Sequence, residues 1–190
     1  KYVYRKVPMI LKPLQKPHPP LWYGLGHLAG AEWAATNRVN VITNLPAEGS
    51  APLFERYREV WQRKHGDAAM PRLGMGRHVV VAPTEAEAMA LGRANYAVWY
   101  ANLTKLWRDF GSIPIRFARD FDEARSRGVA IAGTPVQVRE EFERQMTASR
   151  CTYMTCRLMF GEMGEAEAEA NIDLFTAEVM PHVTRLRPSA

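Results

Sequence analysis

Chemistry in this chain is most readable between residues 24 and 30. Gly24, Gly26 and Gly30 link a short apolar run, Leu21 to Leu25, to an alanine-rich one, Gly30 to Asn37. Apolar residues, then glycines, then alanines read as a strand turning into a helix. Glycines at such a turn leave backbone N–H groups with no side chain in front of them, and the positive end of the helix dipole points the same way. This is a seat for a phosphate, built from Gly26, His27, Leu28, Ala29 and Gly30, with the His27 ring adding a hydrogen bond. The spacing is a near miss to the dinucleotide fingerprint. The acidic residue expected about twenty positions further on is absent there, where Thr43 and Asn44 stand. The alternative is that the glycines only let a short helix pack closely on its strand.

Arg157 lies in the last strand-like run, Thr152 to Leu158. At the C-terminal end of a parallel strand, where barrel enzymes place functional groups, it would face an anionic substrate or a cofactor. Its alternative is structural, as an ion pair with Glu162 or Asp173. The stretch from Thr104 to Gly133 has no clear periodicity and carries Arg108 and Arg116 among several charges. Long irregular segments in compact domains are often active-site lids; the other reading is a solvated insertion containing a short helix. Trp22, Trp33, Trp99 and Trp107 line an aromatic site or fill the core. The five histidines, at 18, 27, 65, 78 and 182, form neither HxH nor HExxH, which argues against a metal site. Cys151 and Cys156 form no CxxC pair and read as small buried hydrophobes in a reducing, cytoplasmic setting.

Strands alternating with helices would position these groups. Val39 to Thr43 and Met75 to Ala82 are β-prone, and Ala51 to His65 carries Leu53, Phe54, Tyr57, Val60 and Trp61 on one helical stripe. Thr84 with Glu87, and Thr134-Pro135 with Gln137, are capping boxes opening two more helices, the first running to about Leu103. A last helix spans Ala166 to Met180 and stops at Pro181. Four strands in this alternation predict an α/β fold with a parallel sheet and right-handed crossovers. Residues 1–20 precede this as an extended arm, since Pro13, Pro17, Pro19 and Pro20 exclude both helix and central strand. The segment starting at Lys1 reads like the middle of a longer chain.

With 47% hydrophobic and 24% charged residues the chain is an ordinary globular one, not a disordered one. Its net charge of +5 is spread through mixed runs such as Glu55, Arg56, Arg58 and Glu59, which favours a solvated helix face over a nucleic-acid stripe. No apolar run approaches the roughly 18 residues of a membrane span.

Three stretches together resemble the bacterial-luciferase-like flavin monooxygenase family. They are Lys12-Pro-Leu-Gln-Lys-Pro-His-Pro-Pro-Leu-Trp22; Gly26-His-Leu-Ala-Gly-Ala-Glu-Trp-Ala-Ala35; and Gly133-Thr-Pro-Val-Gln-Val138, followed by Arg157-Leu-Met-Phe-Gly161 and Asp173-Leu-Phe-Thr-Ala-Glu-Val-Met-Pro181. The resemblance implies a TIM (β/α)8 barrel, of which residues 21–190 cover about the last four βα units, with an insertion at about 104–133. It also implies oxygenation of a small organic substrate by reduced FMN and O2, with a flavin reductase supplying the reduced flavin. The FMN phosphate would lie at the Gly26–Gly30 turn, and Arg108, Arg116 and Arg157 would serve substrate or lid. No catalytic acid, base or nucleophile is assigned, since in this family the groups addressing the flavin ring come mostly from the first half of the barrel. Unpaired strand edges would make an isolated half homo-oligomerise. Two other readings remain: an inactive structural fragment that assembles through those edges, and a deazaflavin-dependent oxidoreductase of the same fold.

Overall fold

Five strands, all parallel, organise the chain, and a computed structural model describes residues 3–8, 11–111 and 117–185 of it. The order along the chain is β1 (Trp22–Gly24), α1 (Leu28–Thr36), β2 (Asn40–Thr43), α2 (Ala47–His65), β3 (Leu73–Val81), α3 (Glu85–Asp109), α4 (Phe121–Ser126), β4 (Ala130–Gly133), α5 (Pro135–Ser149), β5 (Tyr153–Arg157) and α6 (Glu165–Leu174). A π-helical turn, Phe175–Val179, carries α6 into α7 (Met180–Val183). The described residues of the arm, 3–8 and 11–20, are exposed and form neither helix nor strand.

The two capping boxes form as the sequence predicts. Thr84 Oγ1 accepts from the Glu87 N–H and the Glu87 carboxylate accepts from the Thr84 N–H, and Thr134 and Gln137 repeat the exchange at the start of α5. The segment 104–133 is more regular than its sequence suggests. It holds the last turns of α3, the short helix α4 and the strand β4. That fifth strand, Ala-Ile-Ala-Gly, is too short and too poor in β-branched residues to show a period of its own.

β3 is the axis of the sheet. Gly74 and Met75 pair with both β2 and β5, and His78 pairs with both β4 and β5. A residue with two partners must have one on each edge, so β2 and β4 succeed one another along one edge and β5 takes the other. Past the end of β5, Asn171 of α6 completes that second edge. Its Oδ1 accepts from the Val81 N–H at 2.7 Å, and its Nδ2 donates to the carbonyls of Val79 and Leu158. A single side chain thus satisfies strand groups that would otherwise be buried without partners.

Alternation along β3 defines two faces. Leu73, Met75, Arg77, Val79 and Val81 point to the convex side, where α2, α5 and the π turn seal them with Phe54, Tyr57, Phe142 and Phe175. Arg77 is fully buried there, its Nε donating to Gln145 Oε1 at 2.7 Å and its Nη2 to the Leu45 carbonyl at 2.9 Å. Burial pulls its pKa down to about 10, which still leaves it charged at neutral pH. Gly74, Gly76, His78 and Val80 point to the concave side.

Candidate functional site

Register stacks the concave face in layers: Tyr153 lies opposite Gly74, Thr155 opposite Gly76, and Arg157 opposite His78. The two glycines are what let side chains from neighbouring strands cross above β3. A Cβ built on Gly76 would stand 2.6 Å from Asn44 Oδ1 and 3.2 Å from Thr155 Oγ1, so only glycine leaves Asn44 room to reach Arg157. Asn44, immediately after β2, accepts a hydrogen bond from Arg157 Nη2 at 3.3 Å.

A cleft of about 210 Å³ opens at this C-terminal mouth of the strands. Its floor is Gly76, His78 and Arg157; its apolar walls are Tyr96 and Trp99 of α3, with Phe117 and Val129 from the segment joining α3 to β4. Gly26 lies on its rim, which joins the cleft to the turn before α1. The segment expected to act as a lid therefore does wall this cleft, though through apolar residues and not its arginines. Arg108 is exposed, with Nη2 turned back onto the carbonyl of Ala101 in its own helix, and it does not line the cleft. Arg116 lies outside the described residues.

His78, which no sequence motif marked, is the most unusual group here. It is 4% exposed, and its Nε2 is buried with no hydrogen-bond partner among the described residues. Its ring sits edge-on to Trp99, Phe160 and Tyr96 at centroid distances of 4.3, 4.8 and 5.3 Å. Burial, helped by the nearby Arg157 charge, pushes its pKa down to about 3, so the imidazole is neutral at neutral pH. The signal that could have found it is the spacing Gly74-x-Gly76-x-His78, which puts two glycines and a histidine on one strand face.

Arg157 resolves differently from its structural alternative. It pairs with neither Glu162 nor Asp173, and no carboxylate among the described residues bridges it; Asn44 is its hydrogen-bond partner. Burial lowers its pKa from the usual arginine value. A partly desolvated guanidinium with a neutral partner has donors to spare for an anion.

At the turn before α1 the glycines divide between the two readings offered by the sequence. Gly30 is buried, and a Cβ there would come within 3.0 Å of the Tyr23 ring, so close packing of helix on strand accounts for it. Gly24 and Gly26 have nothing within 4 Å of a built Cβ, which leaves the approach to the turn open. His27 is the N-cap of α1: its Nδ1 accepts from the Gly30 N–H at 3.0 Å, which removes one amide from the phosphate seat. The N–H groups of Leu28 and Ala29 have no partner among the described residues, and both residues are exposed. No acidic residue occupies the first turn of α1 to compete for its dipole. The described residues contain no cluster of histidine, cysteine or carboxylate able to hold a metal, and both cysteines are free.

The profile of a family described as luciferase-like monooxygenase matches residues 1–150. An uncharacterized protein of Sinorhizobium fredii is 30% identical over 164 residues, covering 83% of this chain and 46% of that protein. Monooxygenase RslO1 from Streptomyces bottropensis superposes with a TM-score of 0.72 at 22% identity, over 92% of this chain and 51% of that one. The oxygenating constituent of 3,6-diketocamphane monooxygenase from Pseudomonas putida, a type II Baeyer–Villiger enzyme in complex with FMN, gives 0.69 at 17% identity, over 91% and 50%. An F420-dependent secondary alcohol dehydrogenase in complex with an F420–acetone adduct gives 0.59 at 15%, over 88% and 50%. The chain thus spans about half the length of each.

Proposed function

Because the chain belongs to the luciferase-like monooxygenase family, we propose that it forms the cofactor-head and substrate-facing part of a flavin-dependent monooxygenase acting on a small organic substrate. Reduced FMN is the cofactor of this reading, and when bound it supplies the activation of O2. The observation that carries the proposal is the continuity of the cleft: one open space runs from Gly26 at the turn to Arg157 and His78 on the strands. The residues present fit such a group. The free N–H groups of Leu28 and Ala29 at the positive end of α1 would hold the phosphate, with Gly26 leaving room for its approach. The unpaired Arg157 would meet an electron-rich edge of cofactor or substrate, and Trp99 and Phe117 would exclude water from it.

A flavin reductase as donor, a homo-oligomer and a cytoplasmic setting belong to the same proposal. No described helix is long and apolar enough to cross a membrane. Titration of FMN against the protein, followed by flavin fluorescence, tests the reading. Saturable quenching is expected, weakened at least about tenfold in Gly26→Val, where a branched side chain fills the approach. Unchanged flavin fluorescence with the wild-type protein would overturn it. The likeness to an F420-dependent dehydrogenase gives the deazaflavin alternative its footing, and the same titration with F420 separates the two. An assembly of high mass that quenches neither cofactor supports a purely structural protein.

A further inference from the structure

Among the described residues, the walls of the upper cleft are apolar and its floor carries one cation, Arg157. Tyr96, Trp99, Phe117 and Val129 make the sides, and no described aspartate or glutamate lines it. Arg157 has no carboxylate to neutralise it among the described residues. Asn44 offers a carbonyl oxygen to one guanidinium nitrogen and leaves the remaining donors unclaimed. The groove beside β4 shows how differently this chain treats arginines that only build structure: Arg125 lies 2.5 Å from Glu85, and Arg144 lies 2.8 Å from both Glu48 and Glu141. His78 adds a second unmet group on the cleft floor, buried beside Arg157 yet without a partner for Nε2. Even partial desolvation of a cation is costly unless something of opposite charge arrives, and the described residues of this cleft supply nothing of the kind.

We propose that the upper cleft selects a small apolar monocarboxylate, its carboxylate received by Arg157 and its hydrocarbon body packed between Trp99 and Phe117. The selectivity lies in the charge. An amide of the same shape would fill the same walls but forgo the charge-assisted hydrogen bonds, which are the stronger kind in a site shielded from water. A substrate amine would find no acid to pair with among the described lining residues. The inference rests on the reading of this cleft as a ligand site, but not on which cofactor accompanies it.

Calorimetric titration of the purified protein with phenylacetate and with phenylacetamide decides the matter. Phenylacetate is expected to bind at least about tenfold tighter than the amide. In Arg157→Gln that preference disappears, and in Arg157→Lys part of it returns. Circular dichroism establishes whether each variant is folded. Should Arg157→Gln fail to fold, Arg157→Met, of similar volume, is expected to lose the preference in the same way. Equal affinity for acid and amide, binding of neither, or a preference that survives in the glutamine variant overturns the proposal. An FMN titration in parallel keeps the two readings apart. Failure of FMN to bind while the acid preference stands removes the cofactor assignment and leaves this one, and the reverse result does the opposite.

Discussion

The two faces of β3 are built from the same nine residues and finished in opposite ways. On the convex side every group is answered: Leu73, Met75, Val79 and Val81 vanish under helices, and even the guanidinium of Arg77 finds Gln145 and two backbone carbonyls. On the concave side the chain leaves groups unanswered. Among the described residues His78 Nε2 has no partner and Arg157 no anion, and lower down Trp22 and Tyr153 meet half-exposed, with Arg72 laid over the Tyr153 ring at 5.0 Å. One face is sealed by α2, α5 and the π turn; on the other, His78 and Val80 are just as buried, under Tyr96, Trp99 and Phe160, and the cleft opens beside them. Alternate residues of one strand thus face the helix-packed core and the cleft.

The comparison breaks first on the convex side. Phe142→Ala opens a cavity among Phe175, Val138 and Val179 and is expected to cost about 3–5 kcal/mol in chemical denaturation. Asn171→Ala should follow at about 2–3 kcal/mol, because it strands the Val81 N–H and the Val79 and Leu158 carbonyls at once. A loss under 1 kcal/mol in Phe142→Ala would mean that this side is not the stabilising one, and a loss that small in Asn171→Ala that the second edge of β3 does not depend on its side chain.

The elements around the sheet differ in how far the sequence disclosed them. Capping boxes are local, so Thr84 with Glu87 and Thr134 with Gln137 announce their helices without help from the rest of the chain. The stripe of Leu53, Phe54, Tyr57, Val60 and Trp61 likewise carries its own period and is buried as that period requires. β4 does not, because four small residues become a strand only by pairing with Val79, Val80 and Val81 from a distant part of the chain. The site is harder still. The turn at Gly24–Gly30 was legible as a turn, but the consumption of one amide by His27 depends on a side-chain rotamer. The neighbours of Arg157 depend on the register of distant strands, and the same register sets His78, one scattered histidine among five in the sequence, opposite it.

On the concave side pH gives a smaller and more selective effect. The folded state holds His78 neutral, with its pKa pushed from 6.5 down to about 3, whereas the unfolded chain protonates it near 6.5. Its contribution to stability is therefore complete above pH 6.5 and lost as pH falls from there towards 3, by at most about 1.4 kcal/mol per pH unit. Urea denaturation of the wild type at pH 6.5 and 5 should show that decline, and His78→Phe should flatten it. Glu48, held low by a backbone hydrogen bond and then by Arg144, and Glu141, whose burial is outweighed by hydrogen bonds from Arg144 and Gln145, add loss in the same direction only at more acidic pH. A wild-type slope that the phenylalanine variant leaves intact would place the titrating group elsewhere.

Smallest of all should be Trp22→Ala at the open lower end, about 1–2 kcal/mol, since the ring is already 40% exposed and loses mainly its contact with Tyr153. A cost as large as that of Phe142→Ala would erase the contrast between the faces.

A crystal of the protein soaked with FMN tests the central claim most directly, that the unmet groups at the mouth of the strands await a ligand. Phosphate density at the N–H groups of Leu28 and Ala29, with the ring reaching the cleft beside Arg157, is the predicted result. An empty turn, or FMN lodged instead between Trp22 and Tyr153, would contradict the account.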